Sequence, residues 1–255
     1  MQEISSLRQS LGSAKREREF QHWPLIEFEQ LSCYTLPDIR LYQNTDGILF
    51  PSVTHALGDG KKDSLNEWRQ RIGLEEANRI GRTAAATGTR FHTMCERFLD
   101  NRDDYGRGAF PAETELFTKI RPVLTDRIGR VHAQEFPLYS LDLSVAGRCD
   151  LHCEFDGIST VVDFKTSSKA KKEEWITDYF MQATAYGMML REKFLRVQQF
   201  AILVASPDGM QIFTKDIDDY VEETREYFKG FHAKHGYSQE RFREMIGDCK
   251  PDERN

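Results

Sequence analysis

The sequence predicts an α/β protein whose mixed central sheet is flanked by helices, and three features carry that expectation. Phe91, Met94, Cys95, Phe98 and Leu99 fall at i, i+3, i+4, i+7 and i+8, the stripe of one helix face. Ser144 to Phe155 alternates strictly, with Val145, Gly147, Cys149, Leu151, Cys153 and Phe155 on one side and Arg148, Asp150, His152 and Glu154 on the other, the period of a strand. Beyond it, strand-like and helix-like segments alternate, which is the pattern of a sheet covered by helices.

The elements follow in order. About the first 45 residues read as irregular and partly helical, an N-terminal lobe over 1–50. Phe50 to Thr54 is a short extended segment leading to a helix start, and polar helices are expected over Ser64 to Ile72 and Leu74 to Ala86. Gly88-Thr89 is expected to interrupt them before the amphipathic helix opens at Arg90. A second helix, Glu113 to Ile128, presents Phe117, Ile120, Leu124 and Ile128, with Pro122 as the point for a kink. Extended chain is expected over Gln134 to Leu141, then the Ser144 to Phe155 strand, a turn at Asp156-Gly157 and a partner strand, Ile158 to Lys165. A helix near Glu173 to Lys193, a core strand at Gln198 to Ala205, a Pro207-Asp208-Gly209 turn and a strand to Ile217 close the core, expected over 51–217. Two helices within 218–255 complete the chain.

Composition narrows the functions available. With 255 residues, 39% hydrophobic and 30% charged, the chain can bury the core of one elaborated domain. No apolar run approaches the roughly 18 residues a membrane span needs; the longest strong one, Phe200 to Ala205, is strand-sized, so no membrane partner is expected. The N-terminus lacks an apolar signal core, and Glu3, Glu17 and Glu19 argue against a transit peptide, so a cytoplasmic protein is expected. The net charge of −6 offers no global attraction for a nucleic acid, so any polyanion must be held by a local patch or a metal ion. Five widely spaced cysteines without a CxxC pair indicate neither a disulfide framework nor a zinc ribbon; Cys149 and Cys153 read as small buried residues on one strand face.

The hairpin concentrates the chemistry. A two- or four-residue loop centred on Asp156-Gly157 sets Phe155 opposite Ile158 and therefore Asp150 opposite Asp163; a three-residue loop removes that pairing. Opposed like charges with Cβ atoms about 4.5–5.5 Å apart destabilise a sheet unless something compensates. Lys165 lies two residues beyond Asp163 on the same face, so two carboxylates and an ammonium converge. Such a set suits a hard divalent cation, Mg²⁺ or Mn²⁺, beside a lysine that orients water and stabilises charge on phosphorus; the alternative is a solvated polar strand end. His92 and Glu96, at i and i+4, are either a further metal ligand with its support or a backbone-bonded boundary pair. Gln182 and Tyr186, also i and i+4, are either substrate contacts or core margin, and Lys169, Lys171 and Lys172 are either a phosphate patch or a solvated face.

Gly88 to Glu96 (GTRFHTMCE), Gly147 to Asp150 (GRCD), Val161 to Ser167 (VVDFKTS) and Gln182 to Tyr186 (QATAY), taken in order, resemble the motifs of RecB-family nucleases of the PD-(D/E)XK superfamily over about residues 50 to 205. Phe50 to Thr54 further resembles the mitochondrial and phage exonucleases of that family. The resemblance implies an αβββαβ core, restriction-endonuclease-like, and metal-dependent hydrolysis of DNA. Asp150, Asp163 and the Phe164 backbone carbonyl would be metal ligands, His92 a further ligand or one for a second metal, and Lys165 the catalytic lysine. Gln182 and Tyr186 would position the strand, and Glu96 would support the ligands from behind. The cysteine set of the iron–sulfur branch is missing, so no iron–sulfur cluster is expected, and a phage or bacterial origin fits the absence of a presequence. The expected activity is a DNA exonuclease preferring single strands or free ends. A structure- or sequence-specific endonuclease on the same core and a catalytically silent nucleic-acid-binding module are its rivals.

Overall fold

The structure is a computed structural model that describes residues 19–23 and 27–252. Its elements are β1 (Gln21–His22), β2 (Ser32–Thr35), β3 (Arg40–Gln43), β4 (Leu49–Pro51), α1 (Val53–Asp59), α2 (Lys62–Ile72), α3 (Leu74–Leu99), α4 (Pro111–Arg127) and β5 (Ile128–Ser140). There follow β6 (Val145–Phe155), β7 (Ile158–Thr166), α5 (Thr177–Glu192), β8 (Gln199–Ser206), β9 (Gly209–Asp216), α6 (Val221–His235) and α7 (Gln239–Ile246). A six-stranded sheet has the order β1-β5-β6-β7-β8-β9, and a three-stranded sheet the order β2-β3-β4. The larger sheet is mixed: β1–β5 and β7–β8 are parallel, the other neighbours antiparallel.

Asp156 and Gly157 both adopt positive φ, 52° and 78°, which is what a two-residue type I′ turn requires. The turn fixes the β6–β7 register from Phe155 opposite Ile158 to Leu151 opposite Val162, as the loop length predicts. Regular pairing stops there, one residue short of Asp150 and Asp163. Asp150 instead accepts the Phe164 N–H through Oδ2 at 2.8 Å, so a side chain replaces the strand partner where the hairpin opens.

That opening overturns one expectation. Val145 and Cys149 belong to the core that β7 and β8 share with α5, whereas Leu151, Cys153 and Phe155 belong to the core against α3 and α4. Cys149 and Cys153 therefore face opposite sides of the sheet, although strict alternation puts them together. The switch occurs in both strands at once. Glu135 on β5 takes a left-handed φ of 46°, and the pairing of Gln134 with Leu151 and of Phe136 with Cys149 skips Glu135 and Asp150. Arg148 Nη1 donates to the Glu135 carbonyl, which satisfies the oxygen that the break leaves behind.

Gly88-Thr89 does not interrupt the helix: α3 runs unbroken for 26 residues. One glycine costs about 1 kcal/mol in a helix interior, and the apolar stripe outweighs it, since Phe91, Met94, Cys95, Phe98 and Leu99 are all buried with Phe117, Ile120 and Leu124 of α4. Thr89 and Thr93 each donate a hydroxyl back to the carbonyl four residues earlier, so neither breaks the ladder. Pro122 stands within α4 without ending it, and Ile128 opens β5 instead of closing that helix, so the strand starts six residues before Gln134.

The expectation of helix in the N-terminal lobe is also corrected. Among the described residues before Val53 the regular elements are strands, too short to carry a visible period; residues 1–18 and 24–26 lie outside the described set. Tyr34, Leu41 and Leu49 of the small sheet bury themselves against Phe242 and Ile246 of α7. Ser52 follows β4 and caps α1, its hydroxyl accepting the His55 N–H, as the extended-to-helix reading of Phe50 to Thr54 requires.

Gly147 meets α5 without room for a side chain, because a Cβ there would lie 2.6 Å from the Tyr186 hydroxyl oxygen and 3.0 Å from its ring. Both residues sit in packed core, so neither can retreat. Gly147→Ala is expected to destabilise the fold by about 1–3 kcal/mol. Urea unfolding followed by circular dichroism measures it.

Candidate metal centre

The hairpin opening gathers two groups of side chains. In the first, Asp163 at 1% exposure accepts a hydrogen bond from Gln182 Nε2 at 2.8 Å through Oδ1. Lys165 Nζ lies 2.6 Å from Asp163 Oδ2 as an ion pair and donates to Gln182 Oε1 at 3.2 Å. Oδ2 is buried, and the ammonium is its partner. Burial pushes the Asp163 carboxyl up to about 6, with Lys165 pulling it down and Asp150 pushing it further up. Burial works against the Lys165 charge, but Asp163 and Asp150 outweigh it and hold the ammonium above the usual lysine range.

In the second group, ligand atoms of His92, Glu135 and Asp150 all lie within 4.8 Å of one another. His92 Nε2 is 2.7 Å from the Phe164 carbonyl. A carbonyl only accepts, so Nε2 carries the hydrogen, and Nδ1 lies 3.5 Å from Asp150 Oδ2. The Phe164 carbonyl, expected as a ligand, accepts this hydrogen bond with one of its two lone pairs. Two carboxylates and an imidazole nitrogen form a donor set for a divalent cation such as Mg²⁺ or Mn²⁺, while Asp163 Oδ2 is held by the Lys165 ammonium.

Asp163 lies outside the close triad, and Glu135 stands in it, a residue that the motifs did not single out. Its signal was positional: the turn from Leu141 to Ser144 pairs Ser140 with Val145, and counting back brings Glu135 opposite Asp150. Burial, then Asp150 and Glu96, pushes its carboxyl up to about 8. Glu96 acts on Glu135 through its charge, and its own carboxyl is raised by burial and by Asp100.

The Glu135 shift has a testable sign. Between its ordinary 4.5 and about 8 the folded protein keeps a proton that the unfolded chain releases, so stability falls as pH rises through that window. Glu135→Gln is expected to stabilise the metal-free protein by about 1–3 kcal/mol at pH 8 and by little at pH 4, while weakening Mn²⁺ binding. Urea unfolding in EDTA at both pH values, with a metal titration beside it, reads both effects.

The other expected contacts divide. Gln182, 8% exposed, reaches the centre and bridges Asp163 and Lys165. Tyr186, 2% exposed, packs into the core against Gly147, which corrects its expected role as a substrate contact: its hydroxyl is closed off by that packing, and burial holds its pKa well above the usual tyrosine range. Lys172 is paired with Glu174 at 3.7 Å and lies 5.2 Å from the Trp175 ring centre, whereas Lys169 and Lys171 make no ion pair among the described residues. Tyr179, also unforeseen, lies under the Lys165 ammonium, 5.0 Å from its ring centre. A groove of about 370 Å³ lies between Thr83 and Thr87 of α3 and Thr166, Ser167 and Ser168, the residues that follow Lys165 in the chain.

No described protein family and no curated protein matches the chain. Fifteen chains of solved structures match it. Among them is the crystal structure of SSO0001, 13% identical, at a TM-score of 0.38, over 87% of this chain and 82% of that one. Among the described residues no helix is long and apolar enough to cross a membrane.

Proposed function

We propose that the protein is a metal-dependent deoxyribonuclease of the PD-(D/E)XK kind, an exonuclease that hydrolyses phosphodiester bonds in single-stranded DNA or at free ends. The observation that carries this reading is the opened hairpin, where Asp150, Asp163 and Lys165 converge with His92 and Glu135. Asp150, Glu135 and His92 would hold Mg²⁺ or Mn²⁺, with Asp163 at its side. When bound, such a cation supplies positive charge to the phosphoryl group and makes a water more acidic.

The chain's own groups do the rest. Lys165, kept charged by two carboxylates, orients the attacking water with a donor that Gln182 and Asp163 leave free and stabilises negative charge on the phosphoryl oxygens. Gln182 bridges Asp163 and Lys165, so the ammonium does not collapse onto the carboxylate in a second contact. Lys169 and Lys171 offer charge for flanking phosphates, and the Thr166 and Ser168 hydroxyls of the groove offer hydrogen bonds to the backbone of a strand. With a net charge of −6, the protein relies on these few contacts rather than on a broad field.

A small footprint suits a threaded end. Linear single-stranded DNA is expected to be degraded in Mg²⁺ or Mn²⁺ while covalently closed circles of the same sequence resist. Rapid cutting of the circles by enzyme free of contaminating nuclease selects the endonuclease alternative, and tight binding without cutting of either selects the silent module.

A further inference from the structure

We infer that the cavity walled by Glu135 seats the terminal nucleotide of the strand, with its base against Phe28 and Phe136 and its phosphate between Arg148 and the metal centre. This rests on the nuclease reading and names the unit that the site receives. The cavity measures about 510 Å³ and lies between Glu27 to Gln30 and the stretch of β5 from Ala133 to Pro137. That volume is in the range of sites for small ligands, roughly 300–1,000 Å³. It holds one nucleotide and excludes a turn of duplex.

Glu135 belongs both to the cavity wall and to the metal triad, so the two are continuous. A phosphate at the triad therefore has its own nucleoside at the cavity mouth. Arg148 lines the same space and forms no ion pair among the described residues; one nitrogen holds the Glu135 carbonyl, and the remaining donors are left for a phosphate. The apolar wall is aromatic: Phe28 and Phe136 lie with ring centres 4.4 Å apart at 33°, next to Pro137. Such a surface accepts the face of any unpaired base.

The polar lining does not impose a sequence. Gln134 is committed to Asp100 through its amide nitrogen, and Gln30 makes one long contact to the Phe28 carbonyl, so its amide is open to a base edge of either polarity. Glu27, at the exposed rim, repels phosphate and marks the side where sugar or base belongs. The groove at Thr166 to Ser168, by contrast, is the track for the remainder of the strand. One side of the centre thus receives a strand and the other a single unit, which makes the expected products mononucleotides or very short oligonucleotides.

The probe is deoxyadenosine monophosphate, titrated calorimetrically into the protein with Mg²⁺, together with a product-length ladder from end-labelled single-stranded DNA. Gln30→Trp fills the cavity from an exposed loop position without touching the core, and Arg148→Gln removes the phosphate cation; thermal melts establish that both are folded. Both are expected to weaken nucleotide binding at least tenfold and to shift products from mononucleotides to longer fragments. Unchanged affinity in both variants, or DNA cutting by a wild-type protein that binds no nucleotide, overturns the inference and leaves the nuclease reading standing. Nucleotide binding that both variants weaken, in a protein that cuts no DNA, keeps the nucleotide site and removes the nuclease.

Discussion

Asp163→Asn is expected to reduce the rate of DNA cleavage at least ~10³-fold, about 4 kcal/mol of barrier, while the protein remains folded and still binds DNA in EDTA. The substitution keeps the shape of the side chain and leaves an oxygen to accept the Gln182 amide at Oδ1. It removes the negative charge that the Lys165 ammonium faces and that the proposed cation would share. Asp163 is nearly inaccessible, so no water replaces that charge. Lys165 retains Gln182 and the Tyr179 ring as neighbours, which limits the cost of losing its ion pair. Circular dichroism establishes folding, and a single-turnover assay with saturating enzyme reads chemistry apart from binding. Near-normal turnover by the folded variant sinks the assignment of Asp163 to the centre.

What the sequence made legible was local. The hairpin register could be read because Asp156-Gly157 admits a two-residue turn that leaves no freedom in the pairing of Phe155 with Ile158. The convergence of Asp150, Asp163 and Lys165 was read from it, whereas Gln182 came only from the family resemblance. The simultaneous change of face at Glu135 and Asp150 could not be read, because a period of two is an assumption about regular backbone and Glu135 is not a residue that announces a left-handed φ. That change is what brings Glu135 into the triad and parts Cys149 from Cys153.

Depth was equally hidden. Gln182 and Tyr186 do lie one turn apart on α5, but the helix descends into the core, so one reaches Lys165 and the other ends against Gly147. Gly88 marked no boundary because helix propensity is a weak prior beside a stripe of buried apolar residues on the same helix. A Cβ at Gly88 would lie 3.8 Å from the Thr166 hydroxyl, so the glycine stands where α3 passes close to the end of β7. The short strands β2 to β4 owe their form to the packing of α7, which no local window contains.

The second large effect separates Lys165 from the lysines that follow it. Lys165→Ala is expected to lower kcat by ~10²–10⁴ with little change in KM, the size found when one preorganised group that stabilises charge in a transition state is removed. The ammonium is held at a fixed place by Asp163 and Gln182, so its contribution belongs to the reacting phosphoryl group and not to general attraction. Lys169 and Lys171 are exposed or half-exposed, lie beyond the strand and have no carboxylate partner among the described residues. Neutralising the two together is expected to weaken DNA binding and to reduce the salt slope for single strands by about 1.4, roughly 0.7 for each phosphate left without its lysine, with kcat nearly unchanged. Lys172, already engaged by Glu174 and Trp175, is expected to add less than either. Steady-state kinetics and binding isotherms at several salt concentrations measure both sets. Equal losses of kcat from Lys165→Ala and from the Lys169/Lys171 double variant contradict this division, because they place the reacting phosphate among the exposed lysines instead of at the opened hairpin.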